Sequence, residues 1–268
     1  MKNKFLLICL VVSSQYVLGQ TKDPKDSEVW EPEPRVVKTT TMAAPPEDAI
    51  IIFDGKNLDE WVSVKGGKAK WDVKDNAMTV NHTDGIKTVK SFGDAQIHIE
   101  WRTPAEVKGD GQGRGNSGIF LQSKYELQVL DSYGNRTYSN GQAGSIYKQA
   151  IPLVNACKEP GEWQVYDIIF KAPVFNDDGI KVSSAYITVL QNNVLVQNHT
   201  EIKGPTVYVG LPHYETHGKL PLMLQDHGRI IIVRRQLNNQ ILLFQYKRED
   251  LFFKPIPSKT KKPFQPSA

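Results

Sequence analysis

No stretch of this chain sustains a helical period, and no internal repeat is visible. Short runs that alternate apolar and polar residues recur instead, punctuated by Gly, Pro and Asn. Alternation of period two puts successive side chains on opposite faces of an extended strand. Ala95 to Trp101 sets Ala95, Ile97, Ile99 and Trp101 against Gln96, His98 and Glu100. Ile119 to Gln122, Tyr125 to Leu130, Gln164 to Lys171 and Tyr186 to Leu190 continue the pattern. Gln191-Asn192-Asn193 predicts a hairpin turn into Val194 to Gln197. Thr206 to Gly210, Leu220 to Leu224 and Ile230 to Arg234 complete the predicted strands. Many short strands parted by turn residues predict an all-β sandwich or jelly roll.

The segment from Arg114 to Gln149 departs from ordinary strand composition. It crowds Gln, Asn, Asp, Glu, Tyr and Gly between two apolar-alternating runs. Tyr125, Leu127 and Val129 point one way, Glu126 and Gln128 the other. A row of hydrogen-bonding side chains on one sheet face suits a sugar, whose hydroxyls both donate and accept. A solvated outer face of an antiparallel sheet has the same pattern. The tyrosines at 125, 133, 138 and 147, and glycines that admit close backbone approach, favour a binding site.

The ends of the chain read differently. Lys2 and Lys4 precede an apolar run, Phe5 to Val12, and Val17-Leu18-Gly19 follows. This is the pattern of a secretory signal peptide spanning residues 1–19, too short in its apolar part to cross a bilayer. No later run is long enough for a membrane span. Residues 20–46, with EPEPR and TTTMAAPP, predict an extended Pro-rich linker. The folded domain is placed at 47–250, and 251–268 as a basic, Pro-containing tail. An exported protein is expected, periplasmic or extracellular. With the signal removed only Cys157 remains, so no internal disulfide forms, and Cys157 is read as a small buried thiol. The net charge of +4 resides at the ends: two lysines in the signal, and six basic against two acidic residues from Lys247 onward. The near-neutral stretch between argues against nucleic acid as partner.

No helical His pair, Gly-rich phosphate loop or nucleophile elbow occurs, and no organic cofactor is expected. His213 and His217 flank Glu215 in LPHYETHGKLP, a solvated loop or a loop metal site. Gln225-Asp226-His227-Gly228 follows the run Leu220 to Leu224 directly, placing a carboxylate and an imidazole at a strand end on opposite faces. His199 follows the hairpin strand in VQNHTE. Together with Glu126 and Asp131, these histidines supply groups for proton transfer or for an oxygen–nitrogen site holding a divalent metal ion.

The ordered set GNSGIFL, YELQVLDSYG, GQAGSIYKQ, PLVNA, PGEWQVYDIIFKAP and LQDHG resembles the 3-keto-disaccharide hydrolase family. That family is also described as the 3-keto-glucoside 1,2-lyase and 3-keto-2-hydroxy-glucal hydratase domain. The resemblance runs from about Ile50 to about Arg235, and implies a single concanavalin A-like jelly roll in an exported saccharide-degrading enzyme. It implies substrates that are mono- or disaccharide glycosides oxidised at carbon 3. A base removes the carbon 2 proton, the carbon 1 oxygen leaves by β-elimination, and water adds to the enone. On that chemistry Glu126, Asp131, His199 and His227 are placed at the reacting centre. His199 or Asp131 is favoured as base, and Glu126 and His227 bind a metal or stabilise the enolate. Asn116, Gln128, Tyr147, Gln225 and Asp226 are the candidate substrate-binding residues. After LQDHG the chain runs into RIIIVRRQLNNQ and departs from the family's usual pattern. A non-catalytic carbohydrate-binding module and a conventional two-carboxylate glycosidase remain the competing readings.

Overall fold

Alternation becomes structure most directly between Ala95 and Arg102, where Ala95, Ile97, Ile99 and Trp101 are buried. The computed structural model describes residues 25, 28–31, 33–38, 45–228, 231–234 and 241–245. The predicted signal peptide, the basic tail and much of the linker lie outside them. The chain divides into two units, Met1–Val36 and Val37–Ala268, and every described strand lies in the second.

In chain order the strands are β1 (Ile50–Phe53), β2 (Trp61–Ser63), β3 (Asp72–Lys74), β4 (Ala77–Thr79), β5 (Ile86–Phe92) and β6 (Ala95–Arg102). Then come β7 (Asn116–Leu121), β8 (Tyr125–Leu130), β9 (Gln164–Lys171), β10 (Val174–Phe175) and β11 (Lys181–Ser183). The series ends with β12 (Ala185–Gln191), β13 (Val194–Ile202), β14 (Leu220–Leu224), β15 (Ile232–Arg234) and β16 (Ile241–Gln245). All described pairings are antiparallel. One sheet runs β13-β12-β9-β6-β15-β4-β3, with β16 joining β6 to β1. A second runs β2-β5-β14-β7-β8, and β10-β11 form a separate ribbon. The molecule is an all-β jelly-roll sandwich, as the strand pattern predicted.

The two large sheets share one core. Trp101 of β6 and Tyr166 of β9 pack with ring centroids 5.3 Å apart, and Phe170 of β9 meets Tyr125 of β8 at 6.0 Å. Tyr166 Oη donates to the Gln128 carbonyl of β8 at 2.8 Å, tying the sheets beneath the site. Asn192 and Asn193 adopt positive φ in the β12–β13 hairpin, the turn their sequence predicted.

Two sequence assignments change. Thr206 to Gly210 is not a strand: it lies in an irregular strap, residues 203–219, with Tyr208 and Val209 largely exposed. The segment ILLFQ, which sequence reasoning passed over, forms β16. RIIIVR departs from the family's pattern yet supplies β15, which pairs with β6 and β4.

Candidate active site

β8 is buried on both faces, and this makes the site. Tyr125, Leu127 and Val129 enter the core, while Glu126 and Gln128 face the other way and are only 6% and 1% exposed. The polar face is therefore covered instead of solvated. Residues 144–147 pair with the outer edge of β8: Gln128 N–H donates to Ser145 O, and Tyr147 N–H donates to Glu126 O. Over them lies the 203–219 strap, where Thr206 Oγ1 accepts from Glu126 N–H at 3.0 Å.

A cavity of about 230 Å³ results, lined by Gln112, Asn116, Phe120, Glu126, Gln128, Tyr147, Thr206, Tyr208, Gln225 and His227. β7 supplies Asn116 and Phe120, β8 supplies Glu126 and Gln128, and the turn after β14 supplies Gln225 and His227. The amides are oriented by one another. Gln128 Nε2 donates to Gln112 Oε1 (3.1 Å) and Asn116 Oδ1 (3.3 Å), and Asn116 Nδ2 donates to Gln112 O (2.9 Å). Gln225 is fixed through its backbone, N–H to Gly118 O and C=O from Ser117 Oγ. Its Oε1 is buried with no hydrogen-bond partner among the described residues. A buried orphan acceptor in a cavity wall is costly unless a ligand donates to it.

Glu126 owes its place to Gly118. A Cβ at 118 would stand 2.5 Å from Glu126 Oε1 and 2.7 Å from the Phe120 ring, so the missing side chain makes room for the carboxyl. Glu126 makes no salt bridge among the described residues, and burial alone pushes its carboxyl up to about 8. Near neutral pH it holds its proton. Such a group donates a hydrogen bond or acts as a general acid. His227 is exposed and lines the same cavity as the buried acid.

The structure brings together six of the sequence-predicted residues: Asn116, Glu126, Gln128, Tyr147, Gln225 and His227. It does not bring the others. His199 sits in a bulge of β13 at φ 46°, on the outer face of the opposite sheet, its ring stacked on Tyr186 at 4.5 Å. The bulge adds a residue to the ladder, so a period-two count through VQNHTE misplaces the imidazole. Asp131 lines a neighbouring cavity with His82, Thr103 and Gly228, paired to Arg114 at 3.3 Å. Burial raises its carboxyl despite the opposing Arg114 charge. Asp226 turns away to accept from Gly228 N–H, and its Oδ2 is buried with no partner among the described residues. The four acidic and imidazole groups expected at one centre are thus reduced to Glu126 and His227.

Gln112, Phe120, Thr206 and Tyr208 were not anticipated. Gln112 lies in a Gly-flanked 3-10 turn outside any strand period, and Thr206 and Tyr208 lie in the strap, where the alternation predicted a strand that does not form. His213 and His217 do not share a ligand: His217 accepts from Tyr125 Oη at 2.6 Å, and His213 pairs with Glu215 at the surface. Cys157 is half-buried, accepts from Gln191 Nε2, and burial pushes its thiol up, against a nucleophilic role.

Among the described residues no three His, Cys, Asp or Glu side chains converge on a point where a metal ion would sit. Glu126 and His227 supply two donors, and a catalytic ion held by side chains takes about three. Glu126 and His227 alone therefore do not complete a zinc-type set of side-chain ligands.

The family described as the 3-keto-alpha-glucoside-1,2-lyase-like domain matches residues 48–236. A solved structure of a "putative glycosyl hydrolase" from Parabacteroides distasonis is 49% identical, covering 84% of this chain and 97% of its own, with a TM-score of 0.77. A second protein of that description and organism is 20% identical over 75% of this chain and 95% of its own, at 0.54, a likeness of fold. None of the curated proteins compared matches the chain. The match over most of the folded residues assigns the chain to the 3-keto-alpha-glucoside-1,2-lyase-like domain family.

Proposed function

We propose that this glycoside-processing protein cleaves glycosides oxidised at carbon 3, by elimination followed by hydration. The ketone at carbon 3 acidifies the carbon 2 hydrogen, because its removal gives an enolate. His227, exposed among the residues lining the cavity, is the base that takes this proton. The enolate electrons then form the carbon 1–carbon 2 double bond and expel the glycosidic oxygen. Glu126 gives its proton to that departing oxygen. Water adds at carbon 1 of the enone and a proton returns to carbon 2, so the sum is hydrolysis. Asn116, Gln128 and Gln225 hold the remaining hydroxyls in a cavity of single-ring size. A proton donor and a proton acceptor in one site is what this chemistry needs.

The observation that carries the reading is Glu126, a buried carboxyl protonated near neutral pH in an amide-lined cavity. A conventional glycosidase flanks its bond with two carboxyls about 5–9.5 Å apart. Among the described residues Glu126 is the one carboxyl group lining this cavity, which favours elimination.

The test pairs an oxidised glucoside with its unoxidised parent, each labelled with deuterium at carbon 2. Turnover of the oxidised compound alone, with the label lost to solvent and no effect of a chelator, supports the reading. Cleavage of the parent, label retention, or no turnover of the oxidised compound rejects it.

A further inference from the structure

The amide wall of the cavity has a hydrogen-bond polarity, and Gln112 sets it. Gln112 sits in the 3-10 turn Gly111–Gly113. Asn135 clamps that turn, accepting from Gly111 N–H at 2.8 Å and donating to Gly111 O at 2.9 Å. Gln112 Nε2 donates to Gly141 O at 2.9 Å and to Thr137 Oγ1 at 3.2 Å. A backbone carbonyl only accepts, so the nitrogen stands on that side and Oε1 turns toward Asn116 and Gln128. There Oε1 accepts from Gln128 Nε2 at 3.1 Å and from Asn116 Nδ2 at 3.4 Å. A second backbone carbonyl, Gln112 O, fixes Asn116 in the same sense by accepting from its Nδ2 at 2.9 Å. Asn116 Oδ1 then accepts the other Gln128 N–H at 3.3 Å.

Each side-chain amide has two N–H donors. In Gln112, Asn116 and Gln128 every one of them is engaged within the protein. What this wall keeps for a ligand is lone pairs. Gln128 Oε1 takes no hydrogen bond from any described residue, and Gln225 Oε1, in the same lining, is the buried orphan. A wall whose donors are exhausted receives groups that donate. A hydroxyl can donate to it. A carbonyl, an ether oxygen or a fluorine cannot, and would set lone pair against lone pair where water is excluded.

We propose that Gln112 is a specificity-determining positioning residue: it locks the Asn116 and Gln128 amides in one sense, so that this wall takes only ligand groups that donate a hydrogen. The inference rests on the proposed function for the class of ligand, a ring bearing hydroxyls. It adds an orientation to that reading. Hydroxyls meet the Asn116–Gln128 wall, and the carbon 3 ketone, with no hydrogen to give, turns away from it.

The test reads binding alone, so its outcome is separate from that of the cleavage experiment. Methyl glucoside is titrated by NMR against its deoxy and deoxyfluoro derivatives at carbons 2, 4 and 6. Fluorine can accept a hydrogen bond and never donates one, so an acceptor wall gains nothing from it. At one position or more, wild type is expected to bind both derivatives about tenfold less tightly than the parent. Fluoro derivatives that match the parent at every position, or a parent sugar that does not bind, overturn the proposal. Gln112→Met keeps the side-chain length and frees the Gln128 amide to turn its nitrogen to the ligand. In that variant the gap between parent and fluoro derivative should narrow to about twofold or less. An unchanged gap removes Gln112 from the role. The lock is also read in wild type without any ligand. The Gln128 amide hydrogens, held between Gln112 Oε1 and Asn116 Oδ1, should exchange with water far more slowly than those of an exposed glutamine, and matching rates overturn it.

Discussion

At the scale of single residues the molecule turns on Glu126. Its carboxyl rises from 4.5 to about 8 in the folded chain because burial penalises the charge. The folded state therefore holds a proton that the unfolded state releases, and stability falls as pH climbs between those values. Below 4.5 both states are protonated and the penalty vanishes; above about 8 it is complete. Glu126→Gln removes the titration while keeping shape, so its thermal midpoint should exceed wild type near pH ~9 and converge with it near pH ~4. The gap at high pH is on the order of a few kcal/mol. Matching melting curves at both pH values would show that the carboxyl is solvated. The same proton predicts an alkaline limb, with wild-type kcat/KM declining above about 8 as the acid is lost. Period two alone revealed Glu126 and Gln128 as partners on one face. It could not reveal that His199 lies in a bulge, nor that Asp131 is committed to Arg114, because both facts depend on chain segments far away.

Among the elements, the β7–β8 hairpin does the positioning. Phe120 lies opposite Glu126 and Gly118 opposite Gln128 in its register, so glycine at 118 leaves a trough into which the carboxyl folds. A methyl there meets Glu126 Oε1 and the Phe120 ring, both movable ends of side chains, and not backbone. Gly118→Ala should therefore fold, with a thermal midpoint within a few degrees of wild type, yet lose about tenfold or more in kcat/KM as the acid is displaced. A melt that collapses together with activity would instead assign Gly118 to folding. Strands of this kind were legible from alternation, and so was the Asn192-Asn193 turn. The strap was not. Thr206-Val-Tyr-Val alternates like a strand, but no neighbouring strand pairs along it, and side-chain anchors from Gln149 and Thr206 hold it as irregular chain. Two of the residues lining the cavity were hidden by that misreading.

For the whole molecule, the pattern of alternation showed that there would be two packed layers but not which strand lay beside which. β6 illustrates why. One edge pairs along its length with β9, while the other is shared, with β16 along Ala95–His98 and β15 along Glu100–Arg102. Such sharing is decided by long-range register, which no local window contains. The two layers meet at Tyr166, fully buried in β9, whose hydroxyl reaches the Gln128 carbonyl in the opposite sheet. Tyr166→Phe keeps the ring against Trp101 and opens no large void, so the change isolates one hydrogen bond. The Gln128 carbonyl also accepts from Gly144 N–H at 3.1 Å, so it is left with one partner and not stranded. The expected cost is accordingly about 1 kcal/mol, the low end for a buried bond. For a domain of this size that is a fall of about 2–4 °C in the thermal midpoint. Far- and near-ultraviolet circular dichroism should still melt together, because the apolar core of the two sheets is continuous without the hydroxyl. Separate transitions for the two signals would mean that this one bond couples the layers, and that the shared core is weaker than its packing implies.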